Sequence, residues 1–156
     1  MTSKPILLYG LTPAQIALID RLAAAENGIN LDKLEYREVV VWMELNKLGM
    51  ANMTVQRRKS VIVLTDLGAR VRDAGYLSKK PIVRLTEPQI AALRFLAGGP
   101  RTFSDMPGHM VDVCRRLGIR GWAEWKGEVD GPNWMRITAA GWQILKLVDS
   151  SGKVTI

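Results

Sequence analysis

Leu11-Thr12-Pro13-Ala14-Gln15-Ile16-Ala17 returns 74 residues later as Leu85-Thr86-Glu87-Pro88-Gln89-Ile90-Ala91. Three further matches flank this pair in the same order. Lys4-Pro5-Ile6-Leu7 matches Lys80-Pro81-Ile82-Val83, Leu48-Gly49-Met50 matches Leu117-Gly118-Ile119, and Leu64-Thr65-Asp66-Leu67-Gly68 matches Ile137-Thr138-Ala139-Ala140-Gly141. In chain order the offsets are 76, 74, 69 and 73. Ordered matches at a nearly constant offset mark an internal repeat. The chain therefore reads as two copies of one small domain, about residues 4–79 and 80–150, joined near Leu77-Ser78-Lys79-Lys80.

Each copy can be read from its local chemistry. Lys4 to Leu8 and Pro81 to Arg84 are short apolar runs whose prolines restrict them to edge strands or extended arms. Thr12 with Gln15 and Thr86 with Gln89 are capping boxes, in which threonine and glutamine each satisfy an orphan amide. Pro13 sits at the first helical position, where its missing N–H is harmless. The helix that follows places Ile16, Ile19, Leu22 and Ala23 on one stripe, and its counterpart places Ile90, Leu93, Leu96 and Ala97. A second helix carries Val41, Leu45 and Leu48 in copy one, and Met110, Cys114 and Leu117 in copy two. Gly49 and Gly118 are expected as its left-handed C-caps, with Met50 and Ile119 folding back. Hairpins follow: Ala51 to Gln56, a turn Arg57-Arg58-Lys59 and Val61 to Leu64; then Gly121 to Lys126, a turn with Gly127, Asp130, Gly131 and Pro132, and Asn133 to Ile137. Thr65 and Thr138 cap a last helix near 66–76 and 139–149. Met43, Met50, Met106 and Met110 are expected at core or cap positions. The fold class is α+β, mainly helical with small hairpins.

Composition limits the chemistry. The 156 residues are 47% hydrophobic and 24% charged, the mix of a globular chain. No apolar run approaches the ~20 residues of a membrane helix, and Met1 to Gly10 lacks the layout of a secretory signal. Cys114 is the only cysteine, so no internal disulfide forms, and the expected compartment is a reducing cytoplasm. His109 is the only histidine, which leaves a triad a single possible base and a zinc site short of ligands. Gly98-Gly99 lacks the pattern of a phosphate-binding loop. No cofactor, no metal and no enzymatic activity are expected. Twenty-two Lys and Arg face fifteen Asp and Glu, a net charge of +7, with twelve against eight over residues 1–83 and ten against seven over 84–156. Such a surplus points to an acidic partner, most often nucleic acid.

The order helix, short segment, helix, Leu-Gly-apolar, hairpin, Leu-Thr-x-x-Gly, helix resembles a winged helix-turn-helix domain. It is most similar to the DNA-binding core of regulators of the multiple-antibiotic-resistance (MarR) type. Leu11-Thr12-Pro13-x-Gln15, Leu45-x-x-Leu48-Gly49-Met50, Arg57-Arg58-Lys59 and Leu64-Thr65-x-x-Gly68 carry the likeness, and copy two repeats them. The resemblance covers most of the chain as two tandem cores; that family's long flanking dimerisation helices have no counterpart. It implies recognition helices over about Leu34–Leu48 and Pro107–Leu117, with Tyr36, Arg37 and Val40, and His109 and Asp112, toward the bases. The segments Gly28 to Lys33 and Arg101 to Met106 leave little room for a full scaffold helix. Glu35, Glu38 and Glu44 on the first recognition helix oppose phosphate binding.

Arg57, Arg58 and Lys59 at the hairpin tip, with Gln56 beside them, are the leading phosphate-contact residues, set against a plain solvated turn. Arg115, Arg116 and Arg120 form a second basic cluster, equally well read as cations that complement a helix dipole. Trp122, Trp125 and Trp134 in the second hairpin read as packing or as a partner surface. Trp122 shares a strand face with Glu124 and Lys126, and Trp125 shares the other with Ala123. Two functions follow: a DNA-binding regulator with two reading heads, as a monomer or homodimer, or a protein-interaction adapter on the same fold.

Overall fold

In the computed structural model, which describes residues 6–127 and 133–151, both capping threonines start helices. The expected arm residues Lys4 and Pro5 and the turn residues Asp130, Gly131 and Pro132 lie outside the described residues. The chain opens with β1 (Ile6–Leu8). Two units then follow, one spanning Tyr9–Ile82 and the other running from Val83 and including β1.

The first unit contains α1 (Pro13–Ala24), β2 (Ile29–Asn30), a 3-10 turn Leu31–Lys33, α2 (Tyr36–Lys47), β3 (Ala51–Gln56), β4 (Lys59–Leu64) and α3 (Asp66–Asp73). Thr12 N–H donates to Gln15 Oε1 at 2.9 Å, and Gln15 N–H returns to Thr12 Oγ1 at 3.2 Å. The buried arc of α1 is Gln15, Leu18, Ile19 and Leu22. Ala23, expected on the stripe, is exposed, and Ile16 is half-buried. At 100° per residue both lie about 90–110° from the centre of that arc, on its flank. Val41 and Leu45 bury the inner face of α2, while Met43, expected in the core, is 55% exposed. The three strands form an antiparallel sheet in the order β2-β4-β3.

The second unit repeats this order with β5 (Val83–Leu85), α4 (Glu87–Ala97), β6 (Arg101–Thr102), a 3-10 turn Phe103–Asp105, α5 (Gly108–Arg120), β7 (Ala123–Lys126), β8 (Trp134–Ile137) and α6 (Ala139–Ser151). Its sheet order, β6-β8-β7, is the same. Ala92, Leu93 and Leu96 of α4 are buried at the places of Leu18, Ile19 and Leu22, each 74 residues on.

The expected boundary near residue 80 and the structural division differ at the arms. The sequence pattern assigns one arm to each repeat. In the structure the arms pair with each other: Ile6 opposes Leu85, Leu7 opposes Arg84 and Leu8 opposes Val83. A lone arm leaves a row of backbone donors and acceptors open, and this ribbon satisfies them.

The second correction concerns Gly118. Gly49 has φ 76, as expected, but Gly118 lies inside α5, and Gly121 with φ 92 ends that helix. Met50 N–H donates to Leu45 O at 2.9 Å, and Trp122 N–H donates to Leu117 O at 3.0 Å, so Trp122 rather than Ile119 is the residue that folds back. Gly49 thus matches Gly121 and Met50 matches Trp122, at an offset of 72. The Leu-Gly-Ile triplet was a local coincidence one helical turn too early. At the corrected register, Thr65 and Thr138 each donate through Oγ1 to the carbonyl of the capping glycine, Gly49 at 2.6 Å and Gly121 at 2.8 Å. A Cβ at Gly68 or Gly141 would collide with the carbonyl oxygen of Met50 or Trp122. Both units therefore build the same close crossing of cap and last helix.

Candidate nucleic-acid interface

The hairpin β3–β4 is closed by two residues rather than three. Gln56 pairs with Lys59, which opens β4, and only Arg57 and Arg58 form the loop. Their φ values are 50 and 64. Two positive φ angles in a two-residue loop are the signature of a type I′ turn, whose twist matches the strands and which favours Asn-Gly. Arginine carries a Cβ that this region penalises by roughly 1–2 kcal/mol per residue. The arrangement projects both guanidiniums at the tip, beside Gln56 and Lys59. All four residues are exposed. Among the described residues, Arg57, Arg58 and Lys59 make no ion pair.

Helix α2 begins beside a single 3-10 turn, so its first turn stands open. Tyr36 is 79% exposed and Arg37 is exposed. Val40, half-buried, and Met43 and Lys47, exposed, continue the same face at helical spacing. Two of the three acids expected to oppose phosphates turn elsewhere, while Glu35 stays exposed at the N-cap of α2. Glu38 is ion-paired with Arg21 of α1 and accepts from the Glu35 N–H at 3.1 Å. Glu44 accepts from Gln15 Nε2 at 3.5 Å. The outward face of α2 therefore carries Arg37 and Lys47 with aromatic and apolar side chains. Met43 and Lys47 were not anticipated as site residues; the spacing from Tyr36 and Arg37 was the signal that could have found them.

In the second unit His109 stands 72 residues after Arg37, exposed in the first turn of α5. Asp112 and Arg115 form an ion pair at 3.6 Å along the helix, and Arg116 is exposed. Arg120 is half-buried, with its guanidinium 5.3 Å from the Trp122 ring centre. Arg136 is ion-paired with Glu124, and Arg101 lies 4.6 Å over the Phe95 ring. Arg101, Arg115, Arg120 and Arg136 are thus engaged by their own neighbours, while Arg84, Arg116, Lys126 and Lys146 are exposed.

The three tryptophans separate. Trp122, expected on a strand face as packing or as a partner surface, precedes β7 and is 2% exposed. Its position after the helix cap makes it a core plug. Trp125 and Trp134 are half-buried, and Trp125 stacks on Phe103 with ring centroids 4.4 Å apart. Phe103, in the 3-10 turn, is 40% exposed, so this pair carries an aromatic surface beside the second hairpin that reaches solvent. A shallow cleft of about 270 Å³ lies between α4 and α5, lined by Glu87, Pro88, Ala91, His109, Met110 and Val113.

Cys114 is fully buried, and desolvation pushes its thiol up to about 11, so it stays protonated and inert at neutral pH. Among the described residues no helix is long and apolar enough to cross a membrane, and no group of three His, Cys, Asp or Glu could hold a metal ion. No protein-family model matches the chain, and no curated protein matches it.

Proposed function

We propose that this chain is a non-enzymatic, regulator-type DNA-binding protein with two winged-helix modules, and that the first unit supplies most of its grip on duplex DNA. The strained Arg57–Arg58 tip carries the reading. Residues held in sparsely populated backbone regions persist where the surroundings over-determine them and cluster at functional sites. Here the strain places two unpaired cations at the end of a ribbon, beside a third, Lys59. The open first turn of α2, with Glu38 and Glu44 drawn toward α1, supports the same reading, with Tyr36, Arg37 and Val40 toward base edges. The layout of both units supports the winged-helix assignment: helix, short strand, one 3-10 turn, helix, then a hairpin whose second strand pairs with the short strand. The 3-10 turn stands where a fuller scaffold helix would be.

A fluorescence-anisotropy titration with random duplex DNA over a range of salt tests this. Each neutralised phosphate contributes about 0.9 to the slope of log affinity against log salt. Replacing Arg57, Arg58 and Lys59 by alanine should flatten the slope by roughly two to three. An unchanged slope removes the tip from the interface.

The Phe103–Trp125 pair favours a second reading for the other unit, contact with a protein partner. Exposed aromatic pairs suit an interface core better than a phosphate backbone. In that case Phe103→Ala abolishes partner capture and leaves duplex binding intact.

A further inference from the structure

Both units brace their first helix to their last with one ion pair, and the two braces have opposite polarity. In the first unit Asp20 of α1 accepts from Arg72 Nε at 2.9 Å and from Tyr76 Oη at 2.8 Å. In the second unit Arg94 of α4 donates through Nη2 to Asp149 of α6 at 2.8 Å. Asp20 and Arg94 each stand eight residues after their capping threonines, Thr12 and Thr86. Tyr76 and Asp149 each stand eleven residues after theirs, Thr65 and Thr138. Arg72 lies in the last turn of α3, and Tyr76 lies beyond its C-cap Ala74, with φ 65. Asp20 and Arg94 are thus equivalent and Asp149 takes the place of Tyr76, while Arg72 reaches Asp20 from α3, at the position that the buried Leu145 holds in α6; the anion stands on the first helix in one unit and on the last helix in the other.

A chain with two copies of one domain faces a specific folding hazard. The first helix of one copy can dock on the last helix of the other, since misassembly of this kind is characteristic of repeat proteins. We propose that the reversed braces keep each first helix with the last helix of its own unit. The native pairings are both attractive. The exchanged pairings are both repulsive: Asp20 would meet Asp149, and Arg94 would meet Arg72. Helix size reinforces the charge code. Leu18 and Ala92 are both buried at equivalent places, and an exchange puts a large side chain where a small one fits, and the reverse. The first-helix sites at 20 and 94 are partly exposed, as are Arg72 and Asp149. Each pair alone therefore contributes little to native stability, and the discrimination comes from having two attractive pairs become two repulsive ones. This device does not depend on the DNA reading.

The test is refolding of the full chain from denaturant, with the amplitude of slow, misassembled phases followed by double-jump kinetics. Asp20→Arg with Arg72→Asp keeps a brace in the first unit but gives both units one polarity. Arg94→Asp with Asp149→Arg does the same from the other side. Either double variant should enlarge the misassembled fraction severalfold, on the order of three- to tenfold for exposed pairs. The quadruple variant, in which both polarities are inverted and again opposite, should return to the wild-type amplitude. High salt should bring the wild type toward the double variants, because exposed charges are screened. Equal amplitudes in all four chains overturn the proposal, as does a quadruple variant that misassembles like the doubles. If one double variant fails to fold, the other double and the quadruple decide by the same comparison.

Discussion

Closing a hairpin with Arg57 and Arg58 at φ 50 and 64 costs folding energy that Asn-Gly would not. A two-residue exchange separates stability from binding. Arg57→Asn with Arg58→Gly should raise stability by about 1–2 kcal/mol, read by urea unfolding, as the Cβ strain is released. On the proposed function the same variant should lose about two units of salt slope. A variant that is no more stable shows that the tip is unstrained. The helix caps give a second residue-scale outcome. Gly49→Ala and Gly121→Ala should each destabilise by about 1 kcal/mol, because both glycines hold positive φ. Gly118→Ala acts by a different route, since Gly118 lies inside α5 and its new Cβ would come within 3.0 Å of Met135 Cε on β8.

At the scale of the element, the brace between α1 and α3 has a pH signature. The Tyr76 hydroxyl, then the Arg72 guanidinium, hold the Asp20 carboxyl below its ordinary value of 3.8. The folded state therefore binds fewer protons than the unfolded state near that pH. The contribution is fully present above 3.8 and is lost as pH falls through the folded-state value. Asp20→Asn should melt lower than wild type at pH 7, and the two curves should converge in acid, below the folded-state value. A gap that persists in acid assigns the effect to packing instead. Asp105, held down by the Thr102 hydroxyl at 2.8 Å and its N–H at 3.3 Å, likewise loses its contribution as pH falls through its own folded-state value.

Much of each element was legible because capping chemistry is local. Thr12, Thr65, Thr86 and Thr138 announce helix starts through side chains that reach only three residues. What failed was register and long-range pairing. Leu117-Gly118-Ile119 looks like a helix end in one dimension, but the carbonyl that receives the folding-back amide belongs to Leu117, and Trp122 supplies that amide. The pairing of β1 with β5 spans the whole first unit, and no local signal encodes it. In the site, the cations were visible as letters, and the strain at the tip was not, because it follows from a strand register that makes Lys59 a partner of Gln56. The turn of Glu38 toward Arg21 was likewise hidden, since it depends on how α2 lies against α1.

At the scale of the whole molecule, the surplus of twelve basic over eight acidic residues in 1–83 and ten over seven in 84–156 looks evenly shared. The structure divides it unevenly in kind. The first unit pairs Arg21 with Glu38 and Arg72 with Asp20 but leaves the tip, Arg57, Arg58 and Lys59, without an ion pair among the described residues, while the second commits Arg115 of its basic cluster to Asp112, Arg136 to Glu124 and Arg94 to Asp149. Charges that already sit beside an opposite partner release fewer counterions when they meet a phosphate, so net charge overstates the second unit as a DNA ligand. Substituting Arg115 and Arg116 together by alanine should therefore flatten the salt slope by about one or less, against two to three for the tip. Arg37→Ala in the first unit should instead change the ranking of duplex sequences, because base edges and not phosphates carry identity. His109→Ala, at the equivalent place in the second unit, should leave that ranking unchanged. Equal slope losses from the two basic clusters, measured on one duplex at matched salt concentrations, would show that both units grip DNA alike.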